Sequence, residues 1–82
     1  MEILDFYADW CGPCQIMKPV MAEFENAHPE IKVTAINIDE KPELAEKYKV
    51  SGIPCVVFMK NGEEIDRIEG VTSLKKLEKR IS

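Results

Sequence analysis

With three cysteines and one histidine in 82 residues, the sequence has only one close cysteine pair, Cys11 and Cys14, where a four-ligand zinc module commonly has two. So small and odd a cysteine count also excludes a disulfide-stapled scaffold and points to a reducing compartment. Positive charge is in deficit. Eleven Lys and Arg face fifteen Asp and Glu, giving net −4, and the lysines are scattered among acids. No basic footprint for nucleic acid results. No apolar run approaches the ~20 residues of a membrane span. The opening MEILDFYADW has no basic n-region and carries Glu2, Asp5 and Asp9, so it does not read as a secretory signal; a cytoplasmic location is the expectation. Repeats, low-complexity tracts and linkers are absent. What remains is a composition 45% hydrophobic and 32% charged, that of a globular chain, and the length suits one domain over 1–82.

The order of elements follows from periodicity. EILDFYA predicts a strand at about 2–8. After Cys11 the spacing turns helical: Ile16, Met17, Val20, Met21, Phe24 and Ala27 recur at three- and four-residue steps, a wide buried stripe. Pro19 should kink this helix, and Pro29 closes it by restricting His28. IKVTAINI predicts a second strand, parallel to the first across the helical crossover. KPELAEKYKV predicts a short helix with Pro42 in its first turn and Leu44, Ala45 and Tyr48 inward. CVVFM, the Asn-Gly turn of KNGE and EEIDRIE form a hairpin. Ile65 and Ile68 share a face only across a bulge, so the last strand is expected to be an irregular edge. Leu74, Leu77 and Ile81 line a final helix, with Lys79 and Arg80 at its C-terminal end. The sum is an α/β fold, β-α-β-α-β-β-α: a four-stranded mixed sheet flanked by three helices.

The chemistry concentrates in WCGPC. Cys11 falls where strand gives way to helix, among amide N–H groups with no internal partners and a positive dipole end. A thiolate there is stabilised and nucleophilic near neutral pH. Cys14 lies on the same helical face, one turn deeper. Pro13 fits the first turn and stiffens the loop, and Gly12 leaves room for another chain to approach. A structural staple across three residues would stabilise little, because the entropic gain grows with loop length. A metal site would need His28 or Cys55. A helix spanning Cys14 to His28 is roughly 21 Å long, so His28 is out of reach and reads as an exposed helix-end residue. A metal shared with another chain stays open, but reversible dithiol–disulfide exchange is favoured. Asp5 interrupts a strand covered on both faces. Desolvation should raise its pKa and suit it to exchange a proton with Cys14; at a wet edge it would be ordinary.

DFYADWCGPCQIMKP, INID, YKVSGIPCVVFMKNGE and GV, in register from Asp5 to Val71, closely resemble thioredoxins. WCGPC followed about 40 residues later by Gly-Ile-Pro is far more specific than a lone CxxC. The resemblance implies a thioredoxin-like fold and a protein-disulfide reductase needing no cofactor and no metal. Cys11 would attack a client disulfide and Cys14 would resolve the mixed disulfide. A thioredoxin reductase or equivalent donor would restore the dithiol. The partners implied are disulfide-containing proteins, with no nucleic acid or membrane, and the chain is expected to be a monomer. Pro54 matches the family's cis-proline. It would let the Ile53 backbone pair with substrate and would discourage metal capture. Trp10, Gly12, Pro13, Ile53, Pro54, Gly70 and Val71 would form an uncharged docking surface, with ordinary packing or turn-making as the plainer role for each.

The departures are four. The family's usual first strand and helix have no counterpart here, which makes this a short form close in length to glutaredoxins and leaves one sheet edge barer. The lysine that commonly accompanies the buried aspartate corresponds to Ala35, so Asp5 is expected to lack a cationic partner. Tyr7 stands where Trp is frequent. Cys55 stands where Thr is usual, as a small buried residue or else a regulatory thiol. The alternatives are a glutathione-dependent, glutaredoxin-like oxidoreductase, a non-catalytic binding module of the same fold, and a metal or iron–sulfur carrier.

Overall fold

Ile3 and Leu4, adjacent in sequence, are buried on opposite faces of one strand, because successive side chains of a strand point to opposite sides. That strand, β1 (Glu2–Tyr7), therefore sits inside the sheet. The computed structural model describes residues 1–82. After β1 come α1 (Gly12–Ala27), β2 (Lys32–Asn37), α2 (Pro42–Lys47), β3 (Cys55–Lys60), β4 (Glu63–Glu69) and α3 (Leu74–Ile81), in the predicted order. The sheet runs β2-β1-β3-β4. β1 and β2 are parallel; β3 is antiparallel to both β1 and β4.

Two cores lie on the two faces. Ile3, Val56 and Phe58 meet Met17, Met21 and Phe24 of α1 and Leu77 of α3. Leu4, Phe6, Cys55, Val57 and Met59 meet Leu44 and Ala45 of α2 and the adjoining Tyr48. Fully burying one such side chain contributes about 1.5–3 kcal/mol. An exposed ion pair like Arg80–Asp66, at 2.7 Å, contributes about 0–1 kcal/mol. Apolar contact therefore seats α1 and α3, and the surface charges only trim their register.

Two expectations need correction. Ile16 and Ala27 are exposed, not part of the buried stripe. The stripe is Cys14, Met17, Met21 and Phe24 with half-buried Val20, and at 100° per residue the two outliers lie roughly 100–120° from its centre. α1 meets the sheet and α3 on one narrow side, so the wider apolar arc stays in water. His28 is not an exposed end residue. It is half-buried at the C-cap of α1, its Nε2 lies 2.7 Å from Glu78 of α3, and its ring packs 4.8 Å from that of Phe24. α1 continues through Pro19 as one helix.

The Asn61-Gly62 turn has φ of 53° and 80°, both positive, as a type I′ hairpin requires. The expected bulge is present: Phe58 faces Asp66 and Met59 faces Glu64, which leaves Ile65 unpaired and 50% exposed. Skipping Ile65 also brings Glu64 to the same face as Arg67, and the two form an ion pair. The Arg67 guanidinium then donates to the carbonyls of Tyr48 (2.7 Å) and Lys49 (3.4 Å), tying the C-terminal end of α2 to β4. The positive charge suits the negative end of the helix.

Candidate active site

The chain leaves the sheet at Tyr7, buries Ala8, and enters α1 with Cys11 as its N-cap. The Cys14 amide donates to Cys11 Sγ at 3.2 Å, so the sulfur holds the place a capping oxygen would occupy. The same sulfur lies 3.9 Å from the carbonyl oxygen of Ile53. Cys11 and Cys14 are joined as a disulfide with Cα atoms 5.2 Å apart. Cys14 is the deeper of the two, as expected, but by little: 2% exposed against 5%. A partner sulfur must therefore approach Cys11 along a narrow line.

Asp5 stands in mid-β1 between Ala35 of β2 and Val56 of β3. It is half-buried, and its carboxyl is pushed up to about 6, first by burial and then by the negative charge of Glu25. Asp5, Tyr7, Cys14, Lys18, Ala35 and Pro54 line one cavity of about 160 Å³. Asp5, the inner sulfur and the proline of Gly-Ile-Pro thus meet around one small space.

The Ile53–Pro54 peptide bond is cis, as the resemblance implied. Pro54 is fully buried, so it shapes the surface rather than forming it. Its carbonyl accepts from the Gly70 amide at 2.8 Å, which holds the Gly70–Val71 corner against the Ile53–Pro54 segment. Gly70 has φ +87°, a conformation that favours glycine. Trp10 is 69% and Val71 48% exposed, Gly12 and Pro13 are open, and Ile53 is half-exposed. A Cβ built at Gly12 meets nothing within 4 Å.

Two residues the sequence reading passed over belong here. Asp39 accepts a 2.8 Å hydrogen bond from Trp10 Nε1, and the Asn37 side chain in turn accepts from the Asp39 amide at 2.9 Å. This chain of bonds fixes the indole beside Cys11. The INID run carried the clue, but only the fold brings it to Trp10. Lys18 is the other: it lines the Asp5 cavity from α1, yet no cation offsets the burial of Asp5, as expected from Ala35.

Cys55 lies elsewhere. It pairs with Phe6 in the core under α2, has no exposed surface, and its thiol is pushed up by burial, an effect the Arg67 charge partly offsets. Neither thiolate nor access is on offer there. Brief alkylation of the reduced native protein, read by mass spectrometry, should label Cys11 first. Cys55 should label only after denaturation; labelling of Cys55 at the rate of Cys11 would contradict its placement.

A disulfide at the tip of a helix, beside a carboxylate of raised pKa in a central strand, is the equipment of a thiol–disulfide oxidoreductase. The comparisons agree. The family model described as Thioredoxin matches residues 1–82. Thioredoxin from Chlamydia trachomatis is 38% identical over 82 residues, covering 100% of this chain and 80% of that one. Its counterpart in Chlamydia caviae is 39% identical over 71 residues, 87% of this chain and 70% of its own. The oxidised mitochondrial thioredoxin 3 of Saccharomyces cerevisiae superimposes with TM-score 0.90 at 36% identity, covering 98% of this chain and 74% of that. For Fasciola hepatica thioredoxin the TM-score is 0.91 at 36% identity, covering 98% and 76%. The chain belongs to the thioredoxin family. It is a protein-disulfide reductase of the thioredoxin type, with Cys11 and Cys14 as its redox pair.

Proposed function

We propose that Cys11 is the attacking thiol, Cys14 the resolving thiol and Asp5 the proton acceptor. The Cys11 thiolate displaces one sulfur of a client disulfide as a thiolate and forms a mixed disulfide. Asp5 takes the Cys14 proton. The Cys14 thiolate then attacks Cys11 Sγ, releases the second client sulfur, and leaves the Cys11–Cys14 disulfide. The client gains two electrons and the protein loses two, which a reductase returns. The observation that carries this reading is the Cys14 amide donating to Cys11 Sγ at the helix tip, with Cys14 and Asp5 on one cavity. Trp10, Gly12, Pro13, Ile53, Gly70 and Val71, shaped by Pro54, receive the client. These residues carry no charge, so docking selects an accessible disulfide more than a charged sequence. The chain works as a monomer in the cytoplasm. No helix is long and apolar enough to cross a membrane.

The test is turnover on a model protein disulfide with two recycling systems. NADPH with a thioredoxin reductase should sustain reduction, and glutathione alone should not. Recycling by glutathione alone would move the protein to the glutaredoxin-like reading.

A further inference from the structure

The docking residues carry no charge, but the residues just beyond them do. Tyr7, Asn37, Cys55 and Glu69 lie at one end of the sheet. The strand order therefore sets Asp39, just past β2, at one side of that end and Gly70, just past β4, at the other, with Cys11 and Pro54 between. On the β2 side Asp39 holds the Trp10 indole at 2.8 Å, with Asp9 and Glu40 as chain neighbours and Lys41 as the one offset. On the β4 side the Gly70–Val71 corner runs into α3. The Thr72 amide donates to Met17 Sδ at 3.5 Å, which pins the start of α3 one helical turn from Cys14. Ser73 caps α3, and Lys75 and Lys76 stand in its first turn. We propose that Lys75 and Lys76 form a subsite for an acidic residue of the client, a few residues from its disulfide, and that the opposed charges at the two sides fix which way round the client lies. This subsite rests on the proposed docking surface and adds a selection at its rim.

α3 is the most basic element. Lys75, Lys76, Lys79 and Arg80 against Glu78 give it net +3 in a chain of net −4. Arg80 is occupied by Asp66 and Glu78 by His28. Lys75, Lys76 and Lys79 are exposed, line one shallow hollow with Ser73, and form no salt bridge. Glu69 stands directly opposite Cys55 and so lies on the α2 face, away from α3. The lysines are therefore free for an anionic group from outside. Cys11 is only 5% exposed, so a client sulfur reaches it with protein surface pressed around it. Transient redox encounters bury up to about 600 Å² on each partner, a disc about 14 Å in radius. β4 lies two strands from β1, about 10 Å. The first turn of α3 falls within such a footprint. Lys32 and Lys60, at the opposite end of the sheet and about 20 Å along the strands, fall outside it.

The experiment uses two peptides of one composition, each with a single cysteine and supplied as its disulfide homodimer. One has two glutamates before the cysteine and two lysines after it; the other reverses the order. Their equal net charge makes long-range attraction the same for both. Reduced protein is mixed with excess peptide, and its oxidation is followed by acid quench and mass spectrometry, so no reductase takes part. The two rate constants should differ by about threefold to fivefold at low salt and converge as salt screens the exposed charges. Lys75→Glu with Lys76→Glu makes both sides acidic and should abolish the difference; glutamate suits the first turn of a helix, so the fold is kept. Lys32→Gln with Lys60→Gln, at the far end, should leave the difference unchanged. Equal constants for wild type, or a difference that survives the Glu variant, overturns the proposal. A defect of the Glu variant confined to recycling by a thioredoxin reductase would assign the lysines to the donor and overturn it equally. Any of these failures leaves the Cys11 chemistry standing, because that reading falls on a different measurement, the turnover of the Cys11 variant.

Discussion

Cys11→Ser is expected to lower catalysed reduction of a protein disulfide by about 10³-fold or more, because the hydroxyl that replaces the thiolate is barely ionised near neutral pH and cannot form the covalent intermediate. The fold should survive, since serine is itself a good N-cap and keeps an acceptor for the Cys14 amide. Cys14→Ser should behave differently. It retains the attacking sulfur and loses the resolving one, so mixed disulfides with clients should accumulate on non-reducing gels while turnover falls. Equal initial rates for wild type and Cys11→Ser would end the catalytic assignment. Trapping by Cys11→Ser rather than Cys14→Ser would reverse the two roles.

Asp5→Asn should uncouple stability from activity. In the folded protein the Asp5 carboxyl titrates at about 6 against an ordinary value of 3.8. The folded state therefore holds a proton that the unfolded state has released across that window. Wild-type stability is unaffected by Asp5 below about pH 4, falls as pH rises through the window, and carries the full cost above pH 6. A shift this large corresponds to up to about 3 kcal/mol. Water reaching Asp5 through its cavity reduces the expectation to about 2 kcal/mol. Asparagine has no charge to desolvate. Urea unfolding of Asp5→Asn should show a gain of that size near pH 7 that vanishes near pH 3. Turnover should fall by about 10²-fold, the usual weight of a positioned general base. A variant no more stable than wild type at pH 7 would mean Asp5 is well solvated, and its part as a tuned base would go with it.

What could be read in advance was whatever is local in the chain. The Cys11–Cys14 spacing, the Asn-Gly turn and the acid within an apolar strand each carry their meaning inside a few residues. So does the bulge, because Ile65 and Ile68 stand at an odd spacing. What escaped was set by which faces meet. Ile16 and Ala27 satisfy helical periodicity yet lie outside the contact, since periodicity gives the phase of a stripe and not its width. His28 looked unpaired because Glu78 is 50 residues away. Asp39 and Trp10, 29 residues apart, meet only after β2 is laid beside β1.

The Asn61-Gly62 corner offers a practical handle. β3 starts beside Pro54 and runs six residues away from it, about 20 Å at strand rise, before the chain reverses there. A Cβ at Gly62 meets nothing within 4 Å, so that corner is open to solvent. A fluorophore or surface tether attached at position 61 would point away from arriving clients. Immobilised by that corner, the protein would present its redox pair outward, an orientation suited to capturing client proteins from solution.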